Sequence, residues 1–458
     1  MNTYFDAFDH RRALADYPIG PAFDERMRTL SADALRALQE RRFARLLARA
    51  WQVPFYRRLW GAQGIETGDI RGLDDLPRLP RFTKTDIMAS IEAHPPLGDF
   101  HGVRPGERMI LHTTSGTTGR PQTLLFGPTS REIQNILLAR AYRMQGLCDD
   151  DVVQSVYGFG MINGGHYIRE TLLHYTRALL LPAGTGAETR SAQQVALMRD
   201  FRVTVLLGFA DYIRTLAQIA RQHGLEPGRD IPVRLILGHM GRESKDEIGA
   251  LWGGAQVYDW YGVGDTGIIA AEGPDREGLH LFEDAHVVEI VDPATGTHCA
   301  DGEDGNLVTT VLFKDDVYPI IRFDTQDVTH RLPGTSPLAW PLGRIVGFRG
   351  RSDNMVKLRG INVYPHAISA RLGLDDGCTG EYICRLRRDD QGREQMLVEI
   401  ETTRAAEATL ADALRARLRA ALGVAVGVRL VAPGALAETT GIESRQKAIR
   451  LIDERTLR

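Results

Sequence analysis

Short apolar runs separated by segments of helical period dominate the middle of the chain. Val152–Tyr157, Arg177–Leu181, Val203–Leu207, Val233–Leu237 and Ala255–Tyr261 each fit a buried strand. Between them, residues near 164–175, 191–200, 211–223 and 244–251 fit helices. This alternation predicts α/β layering with mostly parallel strands. Nearer the start, residues 28–50 read as one amphipathic helix, with Ser31 as a cap and Leu35, Leu38, Phe43, Leu46 and Leu47 on its apolar face. The stretch around Pro77, Pro80, Pro95 and Pro96 reads as loop. From Val287 to Phe348 the pattern turns strand-rich. A last segment begins near Gly350 and combines strands at Met396–Glu401 and Val428–Val431 with a strong helix near 405–421. The expected fold is α/β: a large N-terminal α/β domain with layered sheets, residues 1–349, followed by a small α+β domain, residues 350–458.

Length agrees, since 458 residues exceed one compact core and suggest about three structural units. Hydrophobic residues make up 43%, enough for a large interior. The formal charge is −3, from 59 acids and 56 bases, so no electrostatic footprint for nucleic acid or an anionic membrane arises. Cys148, Cys299, Cys378 and Cys384 form neither a Cys-x-x-Cys pair nor a metal spacing, and read as free thiols. Met1 to Tyr17 lacks an apolar signal core, and no apolar run reaches membrane-spanning length. A cytoplasmic protein is expected; the monomer and the homodimer stay equally open.

The sharpest chemical signal is Thr113-Thr114-Ser115-Gly116-Thr117-Thr118-Gly119-Arg120-Pro121. Its glycines let backbone approach a phosphate, its hydroxyls and successive N–H groups donate to one, and Arg120 adds charge. Met109–Thr114 before it and Gln122–Phe126 after it read as strands, so the loop joins a hairpin. A Walker loop would lead into a helix and carry Gly-Lys-Ser/Thr. Alone, the segment is also compatible with a Gly/Thr-rich surface hairpin.

Further motifs follow in order: Gly278-Leu279-His280-Leu281-Phe282-Glu283-Asp284, Asp292-Pro293-Ala294-Thr295-Gly296, Pro319-Ile320-Ile321-Arg322-Phe323-Asp324-Thr325-Gln326-Asp327, Gly350-Arg351-Ser352-Asp353, Gly360-Ile361-Asn362-Val363-Tyr364-Pro365 and Ser444-Arg445-Gln446-Lys447-Ala448-Ile449-Arg450. With the loop, they resemble the adenylate-forming superfamily, and within it the phenylacetate-CoA ligase family, over about 108 to 453.

The resemblance implies an ATP-dependent, AMP-forming ligase that makes an acyl-adenylate from a carboxylic acid and then passes the acyl group to an acceptor. It implies that the small domain is mobile. Lys447 takes the place of the lysine that spans the nascent acyl–phosphate bond, where a compact ammonium on a long stem suits the chemistry. Asp327 takes the place of the acid that accepts both ribose hydroxyls. Thr114, Ser115, Gly116, Thr117, Thr118, Gly119 and Arg120 are implied to hold phosphates, Tyr261 to stack on adenine, and Thr266 and Arg351 to lie on the nucleotide. Asp265 stands where a glutamate usually binds Mg²⁺, and Asp353 at the hinge. The acid pocket falls on Tyr157, Phe159, Met161, His166, Gly208, Gly238 and His239; aromatic and Met walls favour a flat or cyclic apolar acid. Tyr157, Phe159 and Met161 are equally compatible with ordinary core, and His166 with a satisfied buried histidine.

Departures from the family pattern are Asp265 for Glu, Gln326 for the Gly before the ribose acid, and Gly208-Phe209-Ala210-Asp211 for Thr-Pro-Ser-Tyr. Pro341-Leu342-Gly343-Arg344 stands for Cys-Gly-Arg, so no zinc knuckle is indicated. The leading expectation is transfer from an aromatic or cyclic acid to CoA. An amino-acid amine as acceptor, as in coronafacate ligase-like enzymes, or a carrier protein shares the first half-reaction. A nucleotide- or acid-sensing protein without catalysis is a further class, against which the presence of Lys447 and Asp327 counts.

Overall fold

The computed structural model describes residues 4–101, 110–114, 121–241, 243–353, 356–358, 361–363, 365, 368, 372, 377–388, 393–404, 408–443, 445 and 448–455. The loop residues Ser115 to Arg120 and Lys447 lie outside that set. Contacts divide the chain into two compact units, one of residues 1–150, 159–180 and 259–347 and another of 151–158, 181–258 and 348–458.

In the second unit, Val152–Ser155, Val205–Phe209 and Leu235–His239 pair in parallel, with Val205 opposite Leu235 and Phe209 opposite His239. Helices Ser191–Asp200, Ala210–Gln222 and Lys245–Leu251 lie where helical period was expected. Ile213, Leu216, Ala217 and Ala220 recur at three- and four-residue spacing on Ala210–Gln222, and all are buried against Leu206, Ile236 and Trp252. The strands expected at Val203–Leu207 and Val233–Leu237 prove shifted by two residues toward the C-terminus, whereas the one expected at Val152–Tyr157 keeps its start and ends at Ser155. The apolar run marks the buried part of a strand, and the pairing extends past it into Gly208-Phe209 and Gly238-His239.

The same unit holds a sheet in which Cys378–Arg388 pairs antiparallel with Glu394–Thr402, parallel with Leu451–Asp453, and Glu394–Thr402 pairs parallel with Gly427–Val431. Helix Ala408–Leu422 buries Leu410, Leu414, Leu418 and Leu422, a four-residue repeat that forms one stripe. The stripe joins Tyr382, Cys384, Val398 and Ile400 in one core.

In the first unit, Ile110–Thr113 and Thr123–Phe126 form the hairpin flanking the phosphate loop, in register from Ile110 opposite Phe126 to Thr113 opposite Thr123. A separate antiparallel set joins His286–Val291, Gly305–Val311 and Phe323–Thr329. Two expectations are corrected here. Residues 28–50 are not one helix: Pro21–Thr29 ends at Leu30, and Ser31 caps a new helix, Ala32–Ala50, by accepting from Ala34 N. The proline-rich stretch is not only loop, because Thr83 and Asp86 form a capping box that starts helix Lys84–Ala93. Around it Phe55, Tyr56, Phe82, Phe100 and Tyr318 pack edge to face or tilted, with Phe100 and Tyr318 centroids 4.6 Å apart. This aromatic block backs the nucleotide-side residues described next. No described helix is long and apolar enough to cross a membrane, and the four cysteines are free thiols.

Candidate active site

The hairpin sets the base of the phosphate loop. Gln122 O accepts from Thr114 N at 3.0 Å, closing the loop's neck. Lys84, at the start of its capped helix, places Nζ 3.3 Å from Thr114 Oγ1. A cation at that neck fits an anionic ligand. Sequence reasoning missed Lys84, since a lone lysine in a proline-rich stretch carries no spacing signal.

Tyr261 lies in strand Gln256–Val263 and Asp327 in Phe323–Thr329, both buried. Tyr261 Oη donates to Asp327 Oδ2 at 2.8 Å and lies 3.2 Å from Thr325 Oγ1. Thr325 Oγ1 donates to Leu307 O at 2.8 Å, so the strand fixes the group that steadies the pair. Tyr261 thus orients Asp327 through its hydroxyl, a role that its expected stacking on adenine did not include. Gln326 adopts φ +60°, the left-handed region. That geometry explains why glycine suits this position, and it costs a side-chain-bearing residue about 1 kcal/mol. Asp324 Oδ1 accepts from Gln326 N at 2.9 Å and helps hold the turn.

Asp265 is buried at 5% exposure. Its Oδ1 accepts from Gln122 Nε2 at 2.6 Å and from the Tyr318 hydroxyl. Lys314 Nζ donates to Asp265 O at 2.8 Å and sits 3.8 Å from the Tyr318 ring centroid. Burial lowers the Lys314 ammonium to about 7, with Asp265 opposing. Among the described residues both side-chain bonds fall on Oδ1, and Oδ2 keeps its lone pairs. A single hard oxygen suits Mg²⁺, which is commonly held by one or two carboxylates and substrate phosphates. Among the described residues no cluster of three or more His, Cys, Asp or Glu could hold a metal alone. Thr266 is fully buried and its hydroxyl donates to Gly267 O at 2.8 Å, bracing the turn after Asp265.

The residues expected to line the acid pocket are divided between the two units. In the second, Tyr157 Oη lies 2.8 Å from His239 Nδ1, and the Phe209 ring stacks on His239 at 4.9 Å and 17°. Phe209, within the expected pocket stretch Gly208-Phe209-Ala210, is brought there by its pairing opposite His239. The glycines serve the sheet: a Cβ on Gly238 would meet Gly208 O at 1.8 Å, and one on Gly208 would meet Val156 Cγ2 at 2.4 Å. In the first unit, Met161 O accepts from Thr113 N at 2.7 Å, tying this loop to the phosphate hairpin. His166 Nε2 donates to Gly160 O at 2.8 Å, and the ring stacks on His112 at 4.9 Å and meets the edge of Phe159 at 5.3 Å. Gly160 O, an acceptor only, makes His166 Nε2 the donor. Met161 is 51% exposed. Burial pulls His112 down to about 4, which keeps it neutral.

Arg351 and Asp353 hold each other, Nε to Oδ1 at 2.8 Å and Nη2 to Oδ2 at 2.7 Å. The expected nucleotide residue and the expected hinge residue are therefore one bidentate pair.

A hairpin-borne loop, a tyrosine-oriented carboxylate, a second buried acid and a C-terminal α+β sheet are the parts of an adenylate-forming enzyme. Residues 360–455 match the family model of the AMP-binding enzyme C-terminal domain. The chain is 30% identical over 452 residues to the phenylacetate-coenzyme A ligase of Escherichia coli (strain K12), covering 94% of this chain and 97% of that one. It is 34% identical over 385 residues to the phenylacetate-coenzyme A ligase of Pseudomonas putida, covering 81% and 80%. A 2-hydroxyisobutyryl-CoA ligase in the postadenylation state, in complex with R3-HIB-AMP, superposes with a TM-score of 0.82 at 28% identity, covering 96% of this chain and 94% of that one. The chain belongs to the phenylacetate-coenzyme A ligase family, the AMP-forming acid–CoA ligases.

Proposed function

We propose that this enzyme adenylates a flat aromatic or cyclic carboxylic acid with ATP and transfers the acyl group to CoA in the cytoplasm. Residues 1–349 hold nucleotide and acid, and residues 350–458 form the mobile part. Asp327, steadied by Tyr261, accepts the ribose hydroxyls. The loop from Thr114 to Arg120 donates to the phosphates, with Lys84 at its neck. Asp265 would hold Mg²⁺ through Oδ2 or water, and the ion would neutralise phosphate charge. Lys447 neutralises the charge that develops as the carboxylate attacks the α-phosphorus and pyrophosphate leaves.

The observation that carries the acid class is the Tyr157–Phe209–His239 set, in which Phe209 stacks flat on His239, Tyr157 packs tilted against Phe209, and the Tyr157 hydroxyl bonds His239, giving an aromatic group with one polar edge. A pyrophosphate-release screen over aryl, alicyclic and straight-chain acids tests it, each acid alone and with CoA or amino acids. Aryl or alicyclic acids should lead, and CoA should raise AMP release. A preference for straight-chain acids sinks the acid class; stimulation by amines but not by CoA sinks the acceptor.

A smaller effect is expected at the strained turn. Gln326→Gly should raise stability by less than about 1 kcal/mol, the relief at φ +60° being offset by added chain entropy. A thermal midpoint that falls by several degrees would show that the Gln326 side chain contributes contacts that outweigh the strain.

A further inference from the structure

Arg450 is buried at 4% exposure and lies within the segment matched to the C-terminal domain family. Its guanidinium faces two carboxylates. Nη1 donates to Glu381 Oε2 at 3.0 Å and to Tyr382 O at 3.0 Å, and Nη2 to Glu381 Oε1 at 2.8 Å. The guanidinium also lies over the Tyr382 ring, 4.7 Å from its centroid. Glu381 belongs to strand Cys378–Arg388, beside Leu451–Asp453, so the C-terminal sheet neutralises Arg450 internally. Nη2 nevertheless also reaches Asp211 Oδ2 at 2.5 Å. Asp211 is in the first turn of helix Ala210–Gln222, two residues after Phe209 of the acid pocket. The same helix meets the same strand again, where Gln218 Nε2 donates to Thr379 O at 3.0 Å.

A second carboxylate on an already balanced arginine adds like-charge repulsion to Glu381, whose carboxyl burial already pushes up against the pull of Arg450. Within the C-terminal sheet Arg450 already has Glu381 as its partner. The Asp211 contact joins the helix that follows Phe209 to a strand end three residues beyond Lys447. The family's Thr-Pro-Ser-Tyr would put a tyrosine at 211, so this ion pair belongs to the chain's own Gly208-Phe209-Ala210-Asp211.

We propose that Asp211 is a positioning residue for adenylation: through Arg450 it docks the C-terminal sheet on helix Ala210–Gln222 in the arrangement that the first half-reaction requires. The inference rests on the reading of Lys447 given above. On this proposal thioester formation, the second half-reaction, does not need the contact.

The test compares the full-length parent with Asp211→Asn and Asp211→Glu, using phenylacetate or whichever acid the screen ranks first. Acid-dependent ATP–pyrophosphate exchange reads the first half-reaction, and CoA thioester formation from synthetic acyl-adenylate reads the second. Asp211→Asn should lower kcat for exchange between about 10- and 100-fold, the usual cost of a misplaced catalytic group. KM for ATP and thioester formation should stay within about twofold, and Asp211→Glu should recover most of the exchange rate. Equal loss in both halves, no loss in exchange, or failure of glutamate to rescue overturns the proposal. Lys447→Ala is run in parallel. If it retains adenylation, the lysine reading fails by itself, and Asp211 is judged on the half-reaction split alone.

Discussion

Lys447→Ala lowers acyl-adenylate formation on the order of 10² to 10³-fold, the effect of removing one donor aimed at developing charge, and leaves ATP binding nearly unchanged. The asymmetry follows from where charge appears. On the proposed reading, the triphosphate in the ground state has the hydroxyl-bearing loop, and the ribose has Asp327. Only when the carboxylate approaches the α-phosphorus do two anions converge, and only then does an additional ammonium become necessary. Arg445 N donates to Gly441 O at 2.8 Å, Ile449 N to Thr440 O at 2.8 Å, and Arg450 is locked on Glu381. Pyrophosphate exchange and equilibrium ATP binding, measured on one preparation, decide it. Loss of both together would mean that Lys447 holds ground-state nucleotide, and retention of exchange would remove it from the chemistry.

The layering of the middle of the chain was legible because its strands and helices bury different periodicities. Val205 to Leu207 are continuous apolar residues of a strand covered on both faces, whereas helix Ala210–Gln222 shows a single stripe. Helix Pro128–Met144 was not legible. Buried residues run unbroken from Ser130 to Tyr142, so Arg131, Glu132, Gln134, Asn135 and Arg140 interrupt any apolar stripe. Its polar side chains find partners far away in sequence, such as Glu170 and Asn163 for Arg131. The site divides in the same way. Residues with a local motif, Thr114, Asp265 and Asp327, could be singled out from spacing and resemblance. Gln122, Tyr318 and Lys84 make contacts that arise only when separate strands or helices meet, and nothing adjacent in sequence marks them. Gln326 lies between: the departure from glycine was visible, but its meaning required the positive φ.

The largest stability effect is expected far from any motif's reacting atoms, at Arg140 and Asp284. Arg140→Ala should cost about 3–5 kcal/mol, the range for stranding one member of a buried pair. Both side chains have zero exposure, and the guanidinium grips the carboxylate twice, at 2.9 and 3.0 Å. Nε donates to Pro18 O at 3.0 Å, and the Phe23 ring centroid lies 4.4 Å from the guanidinium. The pair thus ties the N-terminal segment to the turn after Leu279–Leu281. Burial alone would raise the Asp284 carboxyl, but the charge and hydrogen bonds of Arg140 outweigh it and hold the group below its ordinary value. A depressed folded pKa contributes stability that is complete above the unfolded value, about 3.9, and is lost as pH falls through the lower folded value. In Arg140→Ala the carboxylate is buried without that partner, so its folded pKa rises and the sign reverses. The variant should lose most stability at neutral pH and recover some as acid protonates Asp284. The thermal midpoint of the unit holding both residues should drop by roughly 6–20 °C at pH 7, with a smaller gap between variant and parent at pH 4.5. Arg140→Met combined with Asp284→Leu removes both charges and should regain much of the loss. A pH-independent gap, or a double variant as weak as the single one, would show that lost packing on Phe23, rather than the stranded charge, sets the cost.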